Sequence, residues 1–428
     1  MLIFKILLLV SFSGDVVGKG GSGSYWTVYF DSDTLDLKLA RFIGDAQFSL
    51  DICFYEVFRE TVAKAVINAK RRGVKVRVIT DYDYFFRPYI DSMRSYGIPV
   101  IHEQMGYNSE HIMHNKFIVR DYRDADTTND YVWTGSYNAS DYTRLNAENA
   151  IIIKDHGVAT AFFYEFNQMW GDTGDIPDTL NSKTGRRKID AYPQHLFIVG
   201  GDSVWVYFSP QNRPIQHLIN FVNSAMDSIG YLIYSYTRSD LADAMIASFQ
   251  RGVFVGGVHD ASDANSPYSV FPTLRANGLY VFVDNLPSNY SLLHHKFIVI
   301  DKRVVVTGSM NWSTNGNEYN DENTVIVKNS EIANLYWAEF KRRYAEATGI
   351  NESASFIRKE VVFFKGNFVT LGFSGFKVYD LKGRIVFEDK QGNIWFGNNL
   401  SGLPVHSGVY LITDLKGSER VFVVKIFN

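Results

Sequence analysis

Two short stretches carry the residue types that phosphate chemistry needs. His114-Asn-Lys116 is followed by Asp121, then Gly135-Ser136-Tyr-Asn138, then Glu148. His294-His-Lys296 is followed by Asp301, Gly308-Ser309-Met-Asn311 and Glu322. On a strand, side chains two apart share a face, so each His and its Lys point the same way. A neutral imidazole beside an ammonium and an amide suits a phosphate. Lys and Asn hold its non-bridging oxygens while the His attacks phosphorus or moves a proton. A Ser hydroxyl can orient the anion, and the Gly before it lets backbone come close. Glu148 and Glu322 are candidates to bond the far imidazole nitrogen, setting tautomer and ring orientation. One set offers one imidazole, whereas cleaving a diester through an enzyme-bound intermediate uses an attacker and a proton donor. Two sets facing each other about a pseudo-two-fold axis supply both. Two lysines then neutralise the phosphate, and neither a metal nor another cofactor is needed.

The elements that position these residues are duplicated. Trp26-Thr-Val-Tyr-Phe30 returns as Trp205-Val-Tyr-Phe208, and Arg72-Gly-Val-Lys-Val76 as Arg251-Gly-Val-Phe-Val255. The glycines and histidines recur at an offset of 179 to 180 residues. Beyond Asp121 the offset falls to 173, because the first copy carries seven extra polar residues within Tyr122–Asp130. Such ordered landmarks at nearly one offset indicate a tandem duplication. In the first copy, helical patterns over Thr34–Ile43, Arg59–Arg72, Pro88–Tyr96 and Gly157–Trp170 are interspersed with strand patterns. The strands are expected over Phe48–Val57, Val74–Thr80, Ile98–Ile101, Phe117–Val119, Tyr131–Thr134 and Ala150–Ile153. Gly73 should stop the second of those helices. This order predicts a mixed α/β sandwich in each half.

The last ~70 residues lack helical period. Phe376-Lys-Val-Tyr-Asp alternates, Leu381-Lys-Gly383 supplies a turn, and Arg384–Glu388 alternates again. Ser407–Thr413 and Arg420–Phe427 complete a set of short strands, read as a small all-β sandwich. The expected plan is therefore a signal and linker over 1–24 and α/β domains over 25–170 and 203–347. A connection over 171–202 joins them, and a β-sandwich follows over 348–428.

Composition narrows the partners. With 43 Lys+Arg against 46 Asp+Glu the net charge is −3, so there is no overall basic excess for binding nucleic acid. Apolar residues at 46% and charged residues at 21% exclude disorder. The single Cys53 excludes an intrachain disulfide and a multi-thiolate zinc site. The apolar run Ile6–Phe12 behind Lys5, followed by Ser13 and Gly14, reads as a short secretory signal, with Gly18–Ser24 as a flexible linker. A secreted or cell-surface location is expected.

The repeated His-x-Lys, Asp and Gly-Ser-x-Asn residues resemble the signature of the phospholipase D superfamily, twice in one chain over about residues 26–346. Arg72–Asp81 is similar to a helix-to-strand segment of the same family. The resemblance implies two tandem α/β/α sandwich domains and a phosphohistidine intermediate. It makes His114 the nucleophile, and His294 the acid for the leaving oxygen and then the base for water. Lys116, Lys296, Asn138 and Asn311 would bind phosphate, while Asp121 and Asp301 would be structural and charge-balancing. Val378–Val386, Ser407–Leu411 and the terminal Lys425-Ile-Phe resemble the C-terminal sorting domain of bacterial type IX secretion cargo. That implies a partner in the secretion machinery. The expected substrate is a phospholipid, with a secreted non-specific endonuclease as the alternative and an inactive phosphate- or lipid-binding module as a third reading. The protein is expected to act as a monomer.

Other residues have less chemistry to offer. His295 should face away from His294 and be structural, and His102 and His111 have no partner in the second copy, which favours surface or loop packing. Tyr55 and Tyr234, matched at the repeat offset, read as core more than cleft. Tyr137 and Met310 could touch substrate or pack, and Trp312 could stack on a ligand or cover the core. Lys341-Arg-Arg343 reads as a solvated helix face. Asp81, Asp83 and Asp260 end strands without a clear set of metal-ligand partners. The insertion after Asp121 is expected to reshape the entrance.

Overall fold

A computed structural model describes residues 20–30, 32–105, 111–140, 145–287 and 290–348. Beyond these it describes 357–364, 369–370, 376–379, 385–391, 394–395, 408–414 and 419–425. The run Ile6–Phe12 and the turn Leu381–Gly383 lie outside the described residues.

Each copy builds an eight-stranded mixed sheet with the same strand order. In the first, the order is Gly21–Ser22, Trp26–Phe30, Asn149–Lys154, Tyr131–Gly135, Lys116–Arg120, Ser49–Phe54, Lys75–Thr80, Val100–His102. In the second it is Leu196–Val199, Asp202–Ser209, Glu322–Lys328, Val304–Gly308, Lys296–Ile300, Ser228–Ile233, Phe254–His259, Tyr280–Val283. The last three strands of each list run parallel and the rest antiparallel. Their β-branched runs suit strands buried on both faces. The helices follow equally local signals. Glu60–Arg71 ends ahead of Gly73 at φ +93°, and Asp155 caps His156–Trp170 by accepting from Val158 N at 2.8 Å.

Helices cover both faces of each sheet, and the inner layer joins the halves. On strand Lys116–Arg120, Ile118 faces the outer helices of its own half. Phe117 and Val119 face a core they share with Phe208, Phe297, Val325 and Phe340 of the second half. Phe162 meets Phe208 edge-on at 5.0 Å, and Phe30 meets Tyr336 at 5.0 Å. At ~1.5–3 kcal/mol per buried large side chain, separating the halves would be costly. Val16–Gly349 accordingly forms one compact unit holding both copies.

Three expectations change. Gly21–Ser22, expected within a flexible linker, pairs with Thr27 and Val28 as an edge strand. The connection is partly structured: Leu196–Val199 opens the second sheet, and Lys188 is buried. The insertion after Asp121 does not shape the entrance. It joins the end of Lys116–Arg120 to the start of Tyr131–Gly135, so a hairpin places it at the opposite end of the strand from His114.

The C-terminal region has strands and no helix among its described residues. Five strands order as Ile357–Phe364, Glu419–Lys425, Gly408–Asp414, Phe376–Tyr379, Ile385–Asp389, with Val369–Thr370 paired to Ile394–Trp395. The expected hairpin between 376–379 and 385–389 forms. No helix among the described residues is long and apolar enough to cross a membrane.

Candidate active site

His114 and His294 each sit just ahead of a central strand, Lys116–Arg120 and Lys296–Ile300, and each is stitched by main chain to the other half. His114 N donates to Asp321 O at 3.0 Å, and Asp321 N to Ile112 O at 3.1 Å. Reciprocally, His294 N donates to Ala147 O at 3.0 Å, and Ala147 N to Leu292 O at 2.8 Å. Each His is thereby held beside the residue that precedes the opposite half's glutamate.

The glutamates cross over. His114 Nδ1 lies 2.8 and 2.9 Å from the two oxygens of Glu322, and His294 Nδ1 lies 2.8 Å from Glu148 Oε1. The second contact is an ion-pair approach whose angle falls outside a hydrogen bond. A carboxylate on Nδ1 selects the Nδ1–H tautomer and leaves Nε2 as the reactive nitrogen. Lys116 Nζ donates to His114 O at 2.7 Å; Lys296 Nζ lies 2.9 Å from His294 O and 3.1 Å from His294 Nε2. Deeper in the same interface, Thr134 donates to Asn323 Oδ1 at 2.6 Å and Thr307 to Asn149 Oδ1 at 2.8 Å, a further reciprocal pair. The two imidazoles, two ammoniums and two carboxylates thus form one constellation.

Burial sets its electrostatics. Lys116, Lys296, Glu148 and Glu322 are all within 2% of full burial, while the two histidines keep 6–7% exposure. Loss of solvent, helped by Lys116 and Lys296, holds His114 well below the usual imidazole range. The same causes, with Lys296 ahead of Lys116 and then His114 itself, depress His294. Burial lowers Lys116 to about 8 and Lys296 to about 7 against the pull of the glutamates. It raises Glu148 to about 7 and Glu322 to about 8 against the pull of the lysines. The site therefore holds neutral imidazoles and four groups whose pKa values lie near 7 to 8, as proton-transfer sites require.

The structure reassigns some expected roles. The serines do not face an anion: Ser136 donates to Glu148 Oε2 and Ser309 to Glu322 Oε2, each at 2.6 Å, and both are fully buried. They hold the carboxylates that hold the imidazoles. Gly135 and Gly308 approach a neighbouring strand closely. A Cβ on either would stand 2.3 Å from Asn149 O or Asn323 O, at φ +148° and +142°. Asn138 is buried and Asn311 half-buried, both just past these glycines at the histidine end of the sheet. Asp121 and Asp301 sit at the far end. Asp121 Oδ1 accepts from the amides of Gln47, Phe48 and Ser49 (2.9, 2.7 and 3.2 Å). Asp301 Oδ1 takes Met226, Asp227 and Ser228 (3.3, 2.7 and 2.9 Å). Each fastens the start of the strand that pairs with its His-x-Lys strand.

Tyr55 and Tyr234 belong to the site rather than the core. Their ring centroids lie 4.9 Å from His114 and 4.7 Å from His294, and the lysine ammoniums stand 5.1 Å from the same rings. The signal was their recurrence at the repeat offset. Asp81 and Asp260 also matter: Asp81 accepts from Met113 N at 3.0 Å and Asp260 from Leu293 N at 2.9 Å, bracing the residue before each histidine. His295 is fully buried between Asn149 and Glu339, His102 packs against Phe85, and His111 pairs with Asp321. Tyr137, Met310 and Trp312 are core residues. Arg343 corrects the solvated-face expectation: it is 1% exposed and pairs with Glu339 and Glu346.

The family described as "Cardiolipin synthase, PLD-like domain" matches residues 39–170 and 218–344. Human mitochondrial cardiolipin hydrolase is 33% identical over 128 residues, which are 30% of this chain and 50% of that protein. A phospholipase D of Rickettsia bellii is 28% identical over 138 residues, 32% of this chain and 67% of the other. The chain spans about half the length of the human protein it matches. Among solved structures, phosphatidylserine synthase of Haemophilus influenzae shares the fold with a TM-score of 0.55 at 12% identity, covering 75% of this chain and 86% of that one. Nuc of Salmonella typhimurium, described as a phospholipase D family member, is 29% identical with a TM-score of 0.31, covering 34% and 95%. With both copies matched, the chain belongs to the PLD-like domain family of the phospholipase D superfamily.

Proposed function

We propose that this protein is a phosphodiesterase that cleaves phospholipids through a covalent phosphohistidine on His114, releasing the head group and phosphatidic acid. The crossed pairing of His114 with Glu322 and His294 with Glu148 carries the reading, because it brings two oriented imidazoles and two ammoniums to one place. Lys116, Lys296, Asn138 and Asn311 bind the non-bridging oxygens. The diester's negative charge opposes the electrostatic part of His294's depression and allows it to take up a proton. In the first step His114 Nε2 bonds to phosphorus while the leaving oxygen departs with the proton of His294 Nε2. In the second, His294 Nε2 takes a proton from water, the resulting hydroxide bonds to phosphorus, and the N–P bond breaks, returning its electron pair to His114. The two lysines balance the charge in both steps, so the reaction should proceed in EDTA.

The lipid assignment has its own support. The helix Tyr82–Phe85 begins at Asp81, and Tyr84 stacks edge-on against Tyr55 at 4.9 Å, so this helix stands at the histidine end of the sheet. It carries Tyr82 and Phe86 outward, 40% and 64% exposed, an aromatic rim suited to a membrane surface. The names of the cardiolipin hydrolase and phospholipase D relatives agree. Phosphatidylcholine vesicles and single-stranded DNA offered in parallel, in EDTA, test it. Choline release without nicking is expected; nicking without choline release assigns a nuclease, and failure with both substrates and with an activated diester leaves a binding module. Export is a further part of the proposal, supported by the short apolar run Ile6–Phe12 behind Lys5 and by the likeness of the C-terminal strands to a sorting domain for the secretion machinery. Recovery of the full chain only from the cytoplasmic fraction of its host would overturn that part.

A further inference from the structure

The two half-sites differ through residues outside the repeated motif. The residue before Glu322 is Asp321, whereas the residue before Glu148 is Ala147; His111 has Ser291 at the corresponding place. Asp321 is fully buried, and its oxygens are taken up by three groups. Lys188 Nζ lies 2.9 Å and Gly185 N 2.8 Å from Oδ1, and His111 Nε2 lies 3.1 Å from Oδ2. Lys188 and Gly185 come from the connection between the halves. Lys188 is itself anchored, pairing with buried Glu165 and donating to Ser209 O at 2.7 Å. Burial opposes the charge on Asp321, but Lys188 and His111 outweigh it and keep the carboxyl below its ordinary range. The main chain of Asp321 meanwhile grips Ile112 and His114. The residue before Glu322 is thus fixed by a charged clamp, whereas Ala147 before Glu148 offers main chain alone, both carboxylates being held alike by a serine.

The histidines reflect the difference. His114 Nδ1 makes hydrogen bonds to both Glu322 oxygens, and Lys116 is turned to the His114 carbonyl. His294 Nδ1 meets Glu148 obliquely, and Lys296, which donates to the His294 carbonyl just as Lys116 does to that of His114, also lies 3.1 Å from His294 Nε2. We propose that Asp321, held by Lys188 and His111, is a positioning residue that locks Glu322 onto His114 and so gives the nucleophile's role to the first half. The proposal rests on the phosphodiesterase reading above.

The test uses the full chain, an activated diester such as bis(p-nitrophenyl) phosphate, and Asp321→Ala, which installs the residue the other half already carries. The first burst of nitrophenolate should slow about 10- to 100-fold with KM within about twofold, the scale expected when a reacting group is misplaced without loss of binding. Independently of turnover, the His114 Nδ1–H resonance seen by 15N NMR should weaken, and Asp321→Asn should restore both readings in part. A folded Asp321→Ala protein with wild-type burst and resonance overturns the proposal. If that variant does not fold, Asp321→Asn decides on the same two readings. Nitrophenolate release by the wild type with unaffected variants sinks this proposal alone; no release by the wild type sinks the phosphodiesterase reading, and the proposal with it.

Discussion

Replacing Glu322 by Gln tests the crossed pairing most directly, because it keeps the side chain's size and one oxygen while removing the negative charge the carboxyl can take on as the His114 ring becomes cationic. Both carboxylate oxygens lie within 2.9 Å of His114 Nδ1, and Ser309 fixes one of them at 2.6 Å. A hydrogen bond to a charged partner contributes about 1.5–3 kcal/mol. At ~1.4 kcal/mol per factor of ten, its loss predicts a rate lower by about 10- to 150-fold. The penalty should fall where positive charge grows on the His114 ring, which is formation of the N–P bond. Rapid mixing with bis(p-nitrophenyl) phosphate separates that burst from the slower, water-dependent phase. Glu322→Gln should slow the burst with little change in KM. Glu148→Gln should spare it, since nitrophenolate leaves without an acid, and should slow the second phase. Equal slowing of both phases by either substitution, or a normal burst in Glu322→Gln, would refute the division of labour between the halves.

With the same activated substrate, His294→Ala should still form the adduct and then stall, so intact-protein mass spectrometry should find the phosphoryl group on His114; an unmodified protein counts against the assignment. Sulfate, whose charge is fixed near neutrality, should bind more weakly as pH rises through 7 to 8. The lowered Lys296 and Lys116 lose their protons there, at up to about tenfold per unit for each lysine. Because an anion favours the protonated forms, binding at pH 7.5 should take up protons, and calorimetry in buffers of different ionisation heat would contradict this by showing release. Gly135→Ala forces a Cβ to 2.3 Å from Asn149 O in a left-handed conformation and should cost about 3 kcal/mol in guanidinium unfolding. A loss below about 1 kcal/mol would mean the strand can move aside.

Much of the fold could be read from the sequence because each signal was local or repeated. The helix over Arg59–Arg72 and the strand expected over Phe117–Val119 appear within a residue or two of expectation, and the second copy repeats them. The repeat offset also found every member of the constellation. What it could not show was direction. A serine at the end of the strand beside a histidine's can serve a bound anion or a protein carboxylate, and only the crossed glutamates show the serine hydroxyl on the carboxylate. The insertion was misplaced for a similar reason, since spacing along the chain does not say which end of a hairpin faces the cleft. Arg343 and Lys188 carry charge, so composition placed them in water or in a linker. Lys188 is buried against Glu165 and Asp321, partners distant in sequence, whereas Arg343 is buried together with Glu339 one helical turn away, a pairing whose orientation toward the core the spacing alone does not give.

The contrast between Asp321 and Ala147 would be impossible in an assembly of two identical chains. There every acid on one face would be mirrored on the other, and a second buried carboxylate would need its own lysine. Once the copies are joined in a single polypeptide, that symmetry ceases to bind them. One side can carry a charge, draw on a lysine from the joining segment to neutralise it, and specialise, while the other keeps the simpler arrangement.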